Sequence, residues 1–140
     1  MKKVAIASDH AGYNLKTAIL EQFKGSYDWI DLGTNSTESV DYPDFGKKLA
    51  KAIINGEAEQ GVLVCGSGIG ISIAANRYKE IRAANCTDMT MARLSRLHND
   101  ANVVALGERL VGQTTAFDII ETFLNTRFEG ARHQNRVNKL

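Results

Sequence analysis

Cys65 closes an apolar run, Gly61-Val62-Leu63-Val64, and opens a glycine-rich one, Gly66-Ser67-Gly68-Ile69-Gly70-Ile71-Ser72. This order places a thiol where a strand hands over to a helix, beside backbone N–H groups that favour a sulfur anion and can hold a developing oxyanion. Such an arrangement suits proton-transfer chemistry on a small molecule. A cysteine ending a buried strand also serves as a small hydrophobe, so the sulfur alone decides nothing. The glycines alone are no more decisive. Ile71 stands where a dinucleotide fingerprint needs its third glycine, and no Gly-Lys-Ser/Thr follows to make a Walker loop.

Other polar residues must therefore join the thiol. Asp9 and His10 follow the first apolar run, where Asp9 either caps a helix or orients a substrate hydroxyl, and His10 is either solvated or a donor to a phosphate. His98 ends a segment with Met91 and Leu94 on one helical face, which fits a partly buried ring as well as an acid–base group. Asn99 is a helix stop or a ligand partner. Arg132 and Arg136 are four apart, so a helix presents both guanidinium groups on one face, and paired arginines match the acceptors of a phosphate. A solvated basic tail is the other reading of that pair, and Arg109 is placed to join it. The three histidines, at 10, 98 and 133, have no metal-ligand spacing and no accompanying carboxylate cluster, so no metal is expected.

These groups need a scaffold, and 140 residues with 44% hydrophobic and 24% charged side chains suit one domain spanning 1–140. A net charge of +1 gives no reason to expect nucleic acid or a membrane surface. Cys65 and Cys86 form no C-x-x-C pair and read as reduced thiols, and no signal segment precedes the first strand. A cytoplasmic protein is the expectation. Apolar runs alternate with helical periodicity throughout. Strands are expected at 4–7, 29–32, 62–65, 81–84 and 103–106, with helices between them, Pro43 in a first turn and Asp88 as an N-cap. That alternation implies an α/β fold, a Rossmann-like three-layer sandwich around a five-stranded parallel sheet. Ligands then bind beyond the carboxyl ends of the strands, which sets Asp9-His10 and Cys65–Gly68 on one sheet edge.

Five blocks carry a more specific signal: Ser8-Asp9-His10-Ala11-Gly12, Asp41-Tyr42-Pro43-Asp44, Cys65 through Asn76, Leu94 through Asp100, and Arg132-His133-Gln134-Asn135-Arg136-Val137. In this order and spacing they resemble the type B ribose-5-phosphate isomerases, in the family that also contains galactose-6-phosphate isomerase. The resemblance covers nearly the whole chain. It implies a cofactor-free, metal-independent aldose–ketose isomerase working through an enediolate. Cys65 would move the proton between C2 and C1, with Ser67 assisting. The backbone of Gly66, Ser67, Gly68, Ile69 and Gly70 would hold the enediolate. His98 would open the sugar ring, with Asp9 as its partner. His10, Arg109, Arg132 and Arg136 would hold the phosphate, and Tyr42 and Asn99 the sugar. Family members are dimers or dimers of dimers with shared sites, so a homodimer or homotetramer is implied, with the tail from about 128 to 140 serving both the dimer and the phosphate site.

The chemistry is consistent with those roles, since removing a proton beside a carbonyl needs a base and a held oxyanion, and a remote phosphate anchors the reacting end. Gly70-Ile71-Ser72 lacks the glutamate of the branch that has lost the cysteine, and Cys65, His98 and both tail arginines in one chain favour a self-sufficient homo-oligomer acting on a pentose phosphate. An isomerase of allose 6-phosphate or galactose 6-phosphate is the near alternative. A non-catalytic sugar-phosphate-binding protein is the alternative of another class.

Overall fold

The computed structural model describes all 140 residues. Five parallel strands form one sheet: β1 (Lys3–Ser8), β2 (Asp28–Asp31), β3 (Gln60–Cys65), β4 (Ala83–Asn85) and β5 (Val103–Gly107), in spatial order β2-β1-β3-β5-β4. The helices are α1 (Tyr13–Gln22), α2 (Tyr42–Ile54), α3 (Ile69–Ala75), α4 (Met89–Asn99), α5 (Gln113–Asn125) and the short C-terminal α6 (Arg132–Val137). None is long and apolar enough to cross a membrane.

Strand periodicity sorts the core into two layers. Val4, Ile6, Val62, Val64, Val104 and Leu106 face α1, α4 and α5, in one cluster with Leu15, Ile19, Ala92, Ile119 and Phe123. The alternate residues Ala5, Ala7, Leu63, Cys65, Val103 and Ala105 face α2 and α3, in a second cluster with Leu49, Ala50, Ile71 and Ala75. Because both faces are buried, the central strands β1, β3 and β5 carry continuous apolar runs rather than alternating ones, whereas the edge strand β2 is exposed at Asp28 and Asp31. The expected three-layer sandwich is the observed one.

Helix limits follow local chemistry. Pro43 lies in the first turn of α2, and Asp88 caps α4 by accepting from the Met91 N–H at 2.7 Å. Asp100, not Asn99, stops α4, taking a left-handed conformation at φ 46°. The fourth strand departs most from expectation, beginning at Ala83 instead of Ile81. The Ile81 side chain is buried, but its N–H donates to Tyr78 O and the Arg82 N–H donates to Asn102 Oδ1, so neither N–H joins the sheet ladder. Apolar periodicity reports burial and does not report which carbonyl a backbone N–H finds.

The strand order reverses between β1 and β3, and there the Asp9 N–H donates to Val64 O at 3.2 Å. The connections leaving β1 and β3 are therefore joined side by side at the carboxyl edge. Helix α4 runs the other way, from Asp88 beside that edge to Asn99 near the start of β5. Eleven residues at the helical rise make it about 16 Å long, so its last turn lies at the amino edge.

Candidate active site

The carboxyl edge holds an open cavity of about 600 Å³. Its polar lining comes from Asp9, His10, Cys65, Ser67 and Arg109, and its wall from Tyr42, Gly66, Ile69 and Gly70. Sequence reasoning named all nine. It did not name Ala11, Ile73 and Leu110, which complete the rim. Ile73 is 49% exposed and Leu110 60%, and nothing in the sequence marks these two apolar side chains as solvent-facing.

Main chain fixes this cavity. Cys65 ends β3 with its sulfur accepting from the Gly68 N–H at 3.1 Å. The Glu108 N–H donates to Cys65 O and the Arg109 N–H to Gly66 O, which clips the exit of β5 to the glycine loop. The N–H groups of Gly66, Ser67 and Gly70 have no protein acceptor and are available for a bound anion. The Ile69 N–H is taken by Ser67 Oγ at 3.1 Å. Helix α3 is only seven residues long, so local N–H groups rather than a long helix field would hold negative charge here.

Gly68 plays a different part from the one expected. It is buried, does not line the cavity and spends its N–H on the sulfur. Its φ of 78° is open to glycine and strained for other residues, and a Cβ there would lie 2.3 Å from Asn85 Oδ1. Asn85 itself donates to Ser67 O at 3.4 Å, bracing the loop from β4. No sequence motif flagged Asn85; a polar residue in a buried-strand position was the only hint.

Asp9 accepts from the Gly12 N–H at 3.1 Å and so does cap the turn that follows β1. It is also buried at the cavity, so one side chain both caps the turn and lines the cavity. His10 Nδ1 lies 3.1 Å from the Val40 N and 3.2 Å from the Val40 O, which holds the ring against the loop before α2. Behind them, Lys16 is 1% exposed and bonds both oxygens of Asp31 at 2.7 and 2.9 Å, tying α1 to the end of β2. Glu108 accepts from the Leu15 N–H at 2.6 Å, tying β5 to α1.

The remaining expected residues are elsewhere. His98, Asn99 and Arg136 line a smaller hollow of about 260 Å³ at the amino edge, together with His133. Arg132 lies beside it, exposed and paired with Glu129 at 3.2 Å. Both arginines are on α6, as their spacing implied. Within one chain Asp9 and His98 line separate cavities and do not meet. The His98 and His133 rings stack at 4.4 Å with 21° between planes, a pairing that linear spacing concealed. Burial, aided by the charges of Arg132 and His98, lowers the His133 pKa from its ordinary 6.5. Cys86, by contrast, is a free thiol in the core, its pKa pushed up to about 11 by burial.

Comparison with known proteins places the family and the fold. Residues 4–140 match the Ribose/Galactose Isomerase family model. A ribose-5-phosphate isomerase B of Escherichia coli is 46% identical over 98% of this chain and 93% of its own. The ribose-5-phosphate isomerase B structure from Clostridium thermocellum superposes with a TM-score of 0.96 at 56% identity, covering 98% of this chain and 93% of that one. The enzyme from Mycoplasma genitalium, solved with bound ribulose-5-phosphate, gives a TM-score of 0.91 at 40% identity, covering 98% and 92%.

Proposed function

The chain belongs to the ribose/galactose isomerase family, and from that premise we propose that it interconverts ribose 5-phosphate and ribulose 5-phosphate. The observation that carries the reading is the Cys65 sulfur, held by the Gly68 N–H inside a cavity with free backbone donors. In the aldose direction the Cys65 thiolate takes the proton from C2, and the electron pair moves to make the C1 oxygen an oxyanion. The unpaired N–H groups of Gly66, Ser67 and Gly70 hold that oxyanion. A proton passes from O2 to O1 with help from Ser67, and Cys65 returns its proton to C1, leaving the ketone at C2. Tyr42 bounds the sugar.

The working site takes its second half from another copy of the chain. His98, Asn99, Arg132 and Arg136 sit at the amino edge, and a two-fold dimer brings the partner's amino edge to each carboxyl-edge cavity. Exposed Ile69, Ile73 and Leu110 at the cavity rim supply apolar surface for that contact. His98 then opens the furanose beside Asp9. The two arginines hold the phosphate with His10 and Arg109. The tail from about 128 to 140 thus belongs both to the dimer and to the site. The product and substrate are small soluble metabolites, which fits a cytoplasmic homodimer.

The test is ketose formation from ribose 5-phosphate with a chelator present and allose 6-phosphate run in parallel. Rapid conversion of the pentose phosphate is expected. Turnover of the hexose alone would keep the chemistry and replace the substrate. A folded dimer inactive on both would leave a sugar-phosphate-binding protein.

A further inference from the structure

The amino-edge cluster has a second chemistry. His98, Glu129 and His133 each offer one ligand atom, and these atoms all lie within 4.8 Å of one another. His133 is 6% exposed, and its Nε2 is buried with no hydrogen-bond partner. A ring nitrogen so placed is costly unless something satisfies it. The backbone holds the three together: the Glu129 N–H donates to Leu97 O at 3.2 Å, fixing that residue against the last turn of α4. Positive φ at Gly130 and Ala131 then turns the chain so that α6 begins at His133's neighbour and lays its ring on His98.

We propose that His98, His133 and Glu129 form a site for a borderline divalent transition-metal ion of the Zn²⁺ class. Two imidazoles and a carboxylate are a suitable donor set for such an ion, with water completing a tetrahedron. Zn–N bonds of 2.0–2.1 Å set nitrogens sharing a tetrahedral ion about 3.3 Å apart. The ligand atoms must therefore close by up to about 1.5 Å, and the His98 ring must turn out of its stack on His133 so that both nitrogen lone pairs aim at one ion. Glu129 is exposed and His98 half-buried, so both side chains have room to supply that movement. Two charges oppose the ion. Arg132 holds Glu129 at 3.2 Å, and Arg136 Nη1 lies 3.4 Å from His133 Nδ1. The first is an exposed pair of small worth. The site is accordingly a reversible one and not a structural metal centre. Resting on the isomerase reading, one consequence follows: an occupied site withdraws His98 from the sugar ring, so the ion inhibits.

The experiment titrates Co²⁺ into the metal-stripped full-length protein, following its visible absorption, with Zn²⁺ as competitor. Wild type and Cys65→Ser should bind one ion per chain with nitrogen–oxygen spectra and no sulfur-to-metal charge-transfer band. His133→Gln should lower affinity at least about tenfold, and Glu129→Gln, an exposed change that leaves the fold intact, should lower it as well. Absence of binding would overturn the proposal. So would affinity unchanged in both variants, or binding lost in Cys65→Ser, which would place the ion on the thiol. Zinc inhibition of ketose formation, relieved by chelator, is read separately. Metal binding by a protein inactive on sugars would fail the isomerase reading and leave the metal site standing.

Discussion

At the carboxyl edge the reacting groups are held by main chain, and at the amino edge by side chains on the ends of two helices. Cys65 Sγ, the glycine loop and the exit of β5 are locked together by backbone hydrogen bonds, and Gly68 and Gly70 are shaped by what a Cβ would strike. His98, His133, Arg132 and Arg136 have little such support. The arginines are exposed, and buried His133 Nε2 lacks a partner. The difference suits the two chemistries proposed for them. Holding an enediolate requires dipoles fixed before the reaction, whereas gripping a phosphate requires charge that adjusts to an arriving ligand. In the proposed dimer, the partner's carboxyl edge completes the second region.

The largest expected effect separates the two regions genetically. Cys65→Ala and His98→Asn should each cut turnover by about 10²–10⁴-fold, the usual worth of a proton-transfer group. Mixed after unfolding and refolding together, the two inactive chains should recover about a quarter of wild-type activity. Half the dimers are then mixed, and each mixed dimer has one intact site of two. Activity that stays at the level of the separate variants would show that the two regions never meet. Next in size is Gly70→Ala. Its Cβ would lie 2.5 Å from Tyr42 Cε1, so the ring must leave the cavity wall. A displacement of that order should lower kcat/KM by about 10²-fold with the fold retained. Steady-state kinetics with a thermal melt checks it, and unchanged kinetics would free Tyr42 from the sugar.

These regions were also unequally legible in the sequence. Cys65, Ser67, Asp9 and His10 could be placed on one edge before any coordinates, because parallel α/β topology sends every strand-to-helix connection there. The same rule sends the last turn of α4 to the opposite edge, but only once the helix is known to run its full length to Asn99. Asn85 escaped notice because nothing local says that a short edge strand braces a loop 18 residues earlier. The stack of His98 on His133 was hidden for a similar reason: the turn at Gly130 and Ala131 that makes it depends on a backbone conformation at an alanine, which no propensity foretells. Tertiary contacts made by side chains across elements leave little local trace, while backbone geometry repeated by topology leaves a clear one.

Smaller effects sharpen the amino-edge side. Arg136→Ala should raise KM for the sugar phosphate about tenfold, the loss of one charge-assisted contact, with little change in kcat. Unchanged KM would remove Arg136 from the phosphate.

The smallest effect is on stability and carries a definite sign. Burial and the neighbouring Arg132 and His98 lower the His133 pKa in the folded chain from 6.5, so the unfolded chain binds the proton more readily. Stability is therefore full above about pH 6.5 and falls as pH drops from there through the folded pKa, below which both states are protonated and the slope vanishes. Urea melts of chelated protein at one chain concentration, taken between pH 8 and pH 5, should show this decline. His133→Gln should flatten it. No comparable flattening is expected from Cys65→Ser at the carboxyl edge. An identical slope in wild type and His133→Gln would mean that His133 is as readily protonated folded as unfolded, and that the amino-edge cluster is open to solvent rather than poised for a ligand.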